Sequence, residues 1–136
     1  RRCWKAQLSV SFPRMRPAAG GYEVNSSHMI RDREMVRLVT ALRLLLPHAS
    51  FVLSTRESPD FREGMMRLGI TQMSAGSSTE PGGYSSFDET AWKPSEASGG
   101  EQFVIADDRS PAEVAAMIRK RGYDPVWKDF DQSLVA

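Results

Sequence analysis

The sequence predicts an α/β fold built on parallel strands, and three observations carry that expectation. Short strand-like apolar segments alternate with segments of helical apolar period, in the order strand, helix, strand, helix, strand. The helical segments carry their own start or stop signals, with Asp32 or Ser58-Pro59 before them and Pro47 or Gly69 after them. The chain of 136 residues is long enough to bury one core. Successive strands joined through a helix run parallel, as in an open α/β sheet or a section of a barrel. Three strands are few for a sheet covered on both faces, so further strands of a longer protein are expected.

The first predicted strand, Leu8-Ser9-Val10-Ser11-Phe12, alternates apolar and polar residues, and Pro13 and Pro17 end it in a rigid loop that continues through Gly20-Gly21 and Asn25-Ser26-Ser27. Asp32 then suits the N-cap of a helix from Arg33 to Leu46. Met35, Leu38, Val39, Leu42, Leu45 and Leu46 form one apolar stripe along it, which reads as core, and Pro47 stops it. Phe51-Val52-Leu53-Ser54 makes a second strand. Ser58-Pro59 opens a second helix through Leu68, closed by Gly69. Ile70-Thr71-Gln72-Met73 makes a third strand. Residues 81–100 are rich in Gly, Ser and Pro without apolar period, and a loop of that length in a compact domain is uncommon outside functional or disordered segments. Ser110-Pro111-Ala112-Glu113 is a capping box, predicting a helix to about Arg121 that buries Val114, Met117 and Ile118 and stops at Gly122. Pro125-Val126-Trp127 suits a short extended piece. The resulting division is 1–80 for strands and helices and 81–136 for a loop and helical cap.

Composition narrows the function. Eighteen Lys+Arg against seventeen Asp+Glu leave a formal charge of +1, without the clustered basic face of a nucleic-acid binder. One cysteine, Cys3, supports neither a disulfide framework nor a metal site built from thiolates of this chain. The longest apolar run, Leu44-Leu45-Leu46, falls far short of the roughly 20 residues of a membrane span. No membrane partner and a cytoplasmic setting are expected. The opening Arg1-Arg2-Cys3-Trp4 lacks a start methionine and a cap, and reads as the end of a helix that begins upstream.

In parallel α/β folds, ligand-binding groups gather at the carboxyl ends of strands. Here those ends are Ser11-Phe12-Pro13-Arg14-Met15-Arg16-Pro17, Ser54-Thr55-Arg56-Glu57-Ser58 and Ser74-Ala75-Gly76-Ser77-Ser78-Thr79. The planar fork of arginine grips a carboxylate through two parallel hydrogen bonds, and serines add short-range donors. The pattern points to a pocket for a small anion such as an amino acid. Each group also has a plainer reading. Arg56 and Glu57 could form a structural ion pair, Arg14 and Arg16 could be solvated loop charges, and Ser74 to Thr79 could be a turn. Gly82-Gly83 lacks the lysine of a phosphate loop. His28 and His48 have no metal-ligand spacing and read as surface residues. No nucleophile and base pair can be assembled from these motifs.

Those strand-end residues, together with Pro81-Gly82-Gly83-Tyr84, resemble the 2-iminoacetate synthase family, the radical SAM tyrosine lyases of thiamine biosynthesis. Glu101-Gln102-Phe103, Asp107-Asp108-Arg109-Ser110 and Pro125-Val126-Trp127-Lys128-Asp129-Phe130-Asp131 resemble that family's C-terminal segment, shared in outline with biotin synthase. The resemblance implies the last three strand-helix units of a TIM-type radical SAM barrel in residues 1–80, followed by the C-terminal cap in 81–136. It implies a 4Fe-4S cluster and S-adenosylmethionine as cofactors of the full-length enzyme, although the family's C-x3-C-x2-C motif and its glycine-rich SAM segment are absent here. It implies tyrosine as substrate, cleaved between Cα and Cβ to 2-iminoacetate and para-cresol, and thiazole synthase as the partner that receives the first product. Arg56 and Ser74 are implied as carboxylate-holding groups, with Ser77 a second serine and Arg14 at the cavity edge near SAM or substrate.

Two other readings stand beside this one. The tyrosine lyase of hydrogenase maturation shares the strand-end motifs but carries further C-terminal cysteines, and none follows Trp127 here. A non-catalytic interaction domain on a half-barrel scaffold is the other, and an upstream three-cysteine motif in the same reading frame would exclude it.

Overall fold

A computed structural model of the chain describes residues 6–15, 25–78 and 104–127. The expectations for Cys3, for Arg16 to Gly21, for the loop 81–100 with Gly82-Gly83 and for residues 101–103 and 128–131 fall outside the described residues.

Three parallel strands, β1 (Ser9–Ser11), β2 (Ser50–Leu53) and β3 (Gln72–Met73), lie in the order β1-β2-β3. Helix α1 (Asp32–Leu45) connects the first two, and α2 (Pro59–Met65) connects the second to the third. Helix α3 (Pro111–Lys120) follows. This is the predicted alternation. The strands are shorter than their apolar runs, because pairing partners exist for only three residues of β1 and two of β3.

Register sorts the side chains. Val10 lies beside Phe51, and Ser11, Val52 and Gln72 form the adjacent row. Alternation then sends Phe51 and Leu53 to the helix-covered face, where both are fully buried. There they join Phe12, Met35, Val39, Ala49 and Met65 in one core, with Val10, Val36, Leu42, Leu46, Phe61 and Ile70 packed around it. Phe12 meets Phe51 edge-on, with centroids 5.2 Å apart, an arrangement that aromatic quadrupoles favour.

The stripe of α1 is wider than the sheet beneath it. Met35 and Val39 are buried, and Leu42 and Leu46 are partly so, but Leu38 and Leu45, seven residues apart on its flank, are exposed. The cap also differs from expectation. Arg31 is the N-cap, and its amide donates to Glu34 Oε2 at 2.9 Å. Asp32 occupies the first turn, and its carboxylate accepts from Arg14 rather than from amides of its own helix.

Helix α2 follows its signals closely. Ser58 Oγ accepts from the Phe61 amide, Pro59 takes the first turn, and a 3-10 turn, Met66–Leu68, ends at Gly69 with φ +93°. Arg43 clamps this corner from α1. Its guanidinium lies 3.9 Å from the Phe51 ring centroid and donates to the carbonyls of Ala49 and Gly69 at 2.8 and 2.5 Å. In α3, Ser110 and Glu113 form the expected capping box and Gly122 takes φ +84°. Val114, Ala115 and Met117 are buried, while Ile118 is only partly so. Residues 123–127, where a short extended piece was expected, form no helix and pair with no strand among the described residues.

Candidate functional site

The carboxyl ends of the strands are held by two arginine-carboxylate clusters. The first joins β1 to β2. Pro13 turns the chain out of β1, which brings Arg14 under α1 and beside the turn after β2. Arg14 Nε donates to Glu57 Oε1 at 2.8 Å and Nη2 donates to Glu57 Oε2. Nη1 reaches Asp32 Oδ1 at 2.5 Å and the Ile30 carbonyl at 3.2 Å. The guanidinium carbon lies 4.6 Å from the centroid of the Phe61 ring. The side chain of Glu57 is 0% exposed and that of Arg14 5%, whereas Asp32 is 69% exposed. The hydrogen bond to Glu57 raises the proton affinity of Arg14 against its burial, with Asp32 adding to the effect, so Arg14 stays a cation.

The second cluster joins β2 and β3 to the segment before α3. Arg62, one residue beyond the α2 face that carries Phe61 and Met65, is completely buried. Its Nη1 donates to Asp107 Oδ2 and its Nη2 to the Ser74 carbonyl. Asp107, also fully buried, accepts from Arg109 Nε at 2.8 Å and Nη2 at 2.7 Å. Arg109 continues to Glu63 Oε1 at 3.0 Å, and Glu63 Oε2 accepts from Arg121 Nη2 at 2.6 Å. Burial disfavours charge on Asp107, but the hydrogen bonds from Arg109 and the charge of Arg62 outweigh it and hold its carboxyl below the usual range. Burial lowers the proton affinity of Arg62. The hydrogen bond from Arg121, helped by Arg109, depresses Glu63.

Backbone contacts complete this second junction. The Thr55 carbonyl accepts from the amides of Ala106 and Asp107 at 2.9 and 3.0 Å, and the Gly76 amide donates to the Arg109 carbonyl at 3.3 Å. Gly76 has φ +58°, a left-handed conformation that glycine adopts without steric cost.

The four residues singled out in sequence fall into different settings. Arg14 is buried in the first cluster, with all three of its nitrogens on protein acceptors, and so acts as a brace between β1, α1 and the β2 turn. Glu57 takes Arg14, its partner 43 residues back in the chain. Arg56 is half-buried in the turn after β2, where its amide donates to Ser54 Oγ at 3.4 Å. Ser74 and Ser77 are half-buried at the end of β3, on the two sides of Gly76. The structure thus brings Arg56, Ser74 and Ser77 to the loops that the Asp107 cluster ties together. His28 and His48 are exposed, as expected.

A cavity of about 600 Å³ opens beside β3, between the sheet face opposite the core and α3. Ser9, Val52, Gln72 and Ser74 line the sheet side, and Ile118 and Trp127 face them. Arg62, Asp107 and Glu63 were not candidates by sequence. The one signal for Arg62 was a charged residue adjoining the apolar face of a short helix, and its carboxylate partner lies 45 positions away. Among the described residues no helix is long and apolar enough to cross a membrane.

Comparison with known proteins agrees with this architecture. The chain is 44% identical over 131 residues to 2-iminoacetate synthase of Escherichia coli (strain K12), and 41% identical over the same length to that of Salmonella typhimurium. Each alignment takes in 96% of this chain and 32% of the relative, so the chain spans about a third of the length of the curated relatives it matches. Among solved structures, HydG, a maturase of the FeFe-hydrogenase, superposes with a TM-score of 0.66 at 34% identity, covering 85% of this chain and 23% of that one. The HydG of Carboxydothermus hydrogenoformans gives 0.63 at 32% identity, with 85% and 24% covered. The parallel strand-helix units are therefore those of the C-terminal part of a radical SAM TIM-type barrel. The sequence pattern of the Biotin and Thiamin Synthesis associated domain runs from residue 11 to residue 124, from the last residue of β1 through both arginine-carboxylate clusters and past α3, and the chain belongs to that family.

Proposed function

We propose that this chain is the C-terminal part of a 2-iminoacetate synthase, a carbon-carbon lyase that cleaves tyrosine to 2-iminoacetate and para-cresol for thiazole assembly in thiamine biosynthesis. The observation that carries the reading is the 44% identity to the Escherichia coli 2-iminoacetate synthase along 96% of the chain. The maturase likeness is lower in identity, at 34%. That difference favours the thiamine enzyme over the hydrogenase maturase. In this reading residues 1–80 supply the last strands and helices of the barrel and 81–136 the cap, and the setting is cytoplasmic.

The residues of this chain do not fit a 4Fe-4S cluster. Such clusters take three or four thiolates, and the chain has only Cys3. Among the described residues no group of three His, Cys, Asp or Glu side chains gathers as ligands. No step through the cluster or S-adenosylmethionine is assigned to this segment, whose part in the reading is that of one portion of the full-length enzyme.

Its own contribution is positional. Arg56, Ser74 and Ser77 lie on adjacent strand-end loops, where a guanidinium fork and two hydroxyls can hold the carboxylate of tyrosine. Clamping that end fixes the amino nitrogen and the Cα–Cβ bond for reaction, an orientation effect that is large for any reaction between positioned groups. The product 2-iminoacetate then passes to thiazole synthase.

The test is Arg56→Lys in the full-length enzyme. Lysine keeps the charge but lacks the rigid fork. A loss of ~3 kcal/mol of transition-state positioning corresponds to about a hundredfold in rate. S-adenosylmethionine binding is expected to survive while the ratio of para-cresol to deoxyadenosine falls. An unchanged ratio with a lower melting temperature would remove Arg56 from the substrate site.

A further inference from the structure

The Asp107 cluster does more than anchor α3. Its contacts fall on the two loops assigned to the substrate, and they fall on backbone groups that set where those loops point. The Thr55 carbonyl, part of the peptide plane that leads into Arg56, accepts from both the Ala106 and the Asp107 amides. The Ser74 carbonyl is held by Arg62 Nη2, whose other terminal nitrogen holds Asp107. Gly76, immediately before Ser77, donates to the Arg109 carbonyl. Asp107 therefore sits where three constraints meet: its backbone amide is on the Arg56 turn, its carboxylate holds the Arg62 that reaches Ser74, and it holds the Arg109 whose carbonyl takes the Gly76 amide before Ser77.

The chemistry is that of a spacer. Arg62 is wholly buried, bridges Asp107 to Ser74 with its two terminal nitrogens, and leaves its own Nε without a hydrogen-bond partner among the described residues. A fork that bridges two fixed points at the cost of an unmet donor is shaped by the separation it sets rather than by its own satisfaction. Arg109 approaches Asp107 through two nitrogens and fixes its carboxylate plane. We propose that Asp107 and Arg62 form a positioning pair that sets the distance between the Arg56 loop and the Ser74–Ser77 loop, and thereby the affinity of the site for the amino-acid carboxylate. This rests on the assignment of those loops to tyrosine made above.

The experiment uses the full-length enzyme with tyrosine and S-adenosylmethionine as probes. Arg62→Lys retains a cation beside Asp107 but cannot span Asp107 and the Ser74 carbonyl with one rigid group. Tyrosine affinity, measured by equilibrium dialysis with S-adenosylmethionine present, is expected to weaken at least tenfold, and KM for tyrosine to rise with it. S-adenosylmethionine affinity is expected to change less than twofold. Asp107→Asn is expected to do the same more severely, and Asp107→Glu to recover neither loop, since its longer arm shifts both. Glu34→Gln, which touches only the Arg31 cap of α1, is the control and should leave tyrosine affinity within twofold. Should Asp107→Asn fail to fold, Arg62→Lys decides the matter alone. A folded Arg62→Lys enzyme with wild-type tyrosine affinity, or a loss shared equally by S-adenosylmethionine, overturns the proposal. Wild-type enzyme that binds no tyrosine overturns the assignment beneath it instead, so the two failures are distinguishable.

Discussion

Glu57→Gln is the substitution that most directly tests how the β1–β2 junction is held. The variant keeps the size of the side chain and one acceptor oxygen but removes the charge that faces Arg14. Arg14 cannot release its proton in response, because its hydrogen bonds and its intrinsic basicity both favour the cation. It is left ionised with a side chain 5% exposed, and Asp32, itself 69% exposed, becomes its remaining carboxylate in the described cluster. Breaking one partner out of a buried ion pair costs ~3–5 kcal/mol. Asp32 offsets part of that, so the expected loss is about 3 kcal/mol, the lower end of that range. For a domain of this size each kcal/mol moves the melting temperature by a few degrees, so the shift should be on the order of 10 °C. Asp32→Asn, at the exposed end of the same cluster, should cost no more than ~1 kcal/mol and should be salt-sensitive. Replacing both Arg14 and Glu57 by apolar residues of similar volume should recover much of the loss, since neither charge is then stranded. The assay is chemical denaturation of the three variants alongside wild type. Glu57→Gln within 1 kcal/mol of wild type would refute the reasoning, and would return Arg14 to the pool of groups free to meet a ligand.

Three further outcomes follow from the geometry. Gly69→Ala should destabilise more than Gly122→Ala, although both have positive φ, because a Cβ at 69 would sit 2.8 Å from Arg43 Nε while one at 122 meets nothing within 4 Å; about 1 kcal/mol is expected at 122 from backbone strain alone, and equal melting points for the two would count against the Arg43 clamp. The depressed pKa of Asp107 gives stability that is complete above its unfolded value near ~4 and is lost as pH falls through its folded value; a urea midpoint followed from pH 6 downward should drop steeply in wild type and more shallowly in Asp107→Asn. Anaerobic reconstitution of the 136-residue chain with iron and sulfide should give no stoichiometric four-iron incorporation, and a cluster absorption band with matching iron content would contradict that.

The parts of this fold that the sequence made legible are those governed by neighbours in the chain. Ser58-Pro59 and Gly69 bracket α2 and its 3-10 turn to the residue, because a hydroxyl cap and a left-handed glycine act within one turn. Ser110, Glu113 and Gly122 do the same for α3. Asp32 misleads for an instructive reason. As a carboxylate before an apolar stripe it has the composition of a cap, but Arg14, 18 residues earlier in the chain, draws it outward and Glu34 serves the helix terminus instead. The bracing roles of Arg14, which the sequence did single out, and of Arg62, which it did not, are hidden for the same reason at longer range, since their buried carboxylates lie 43 and 45 positions away. Periodicity also overstated the buried face of α1, because Leu38 and Leu45 satisfy the stripe without having a strand beneath them.

Arginine at a strand end is thus an ambiguous letter, and burial resolves it. Where parallel strands stop, the backbone loses its ladder partners, and turns that carry binding groups need carbonyls and amides satisfied by something else. In this chain the work is divided. Arg14 and Glu57 brace the β1–β2 junction from within, fully committed to each other and to α1. Arg62, Arg109 and Asp107 take up the Ser74 and neighbouring backbone groups at the β2–β3 junction. Arg56 is the one arginine of the strand-end motifs in the described residues that is half-buried rather than buried, and it stands at this second junction beside the serines. In the proposed reading, the braced first junction leaves the serine-bearing second junction, between the ends of β2 and β3, as the place for substrate recognition. It follows that substitutions at the β1–β2 brace should act on folding, and substitutions across the β2–β3 spacer on affinity.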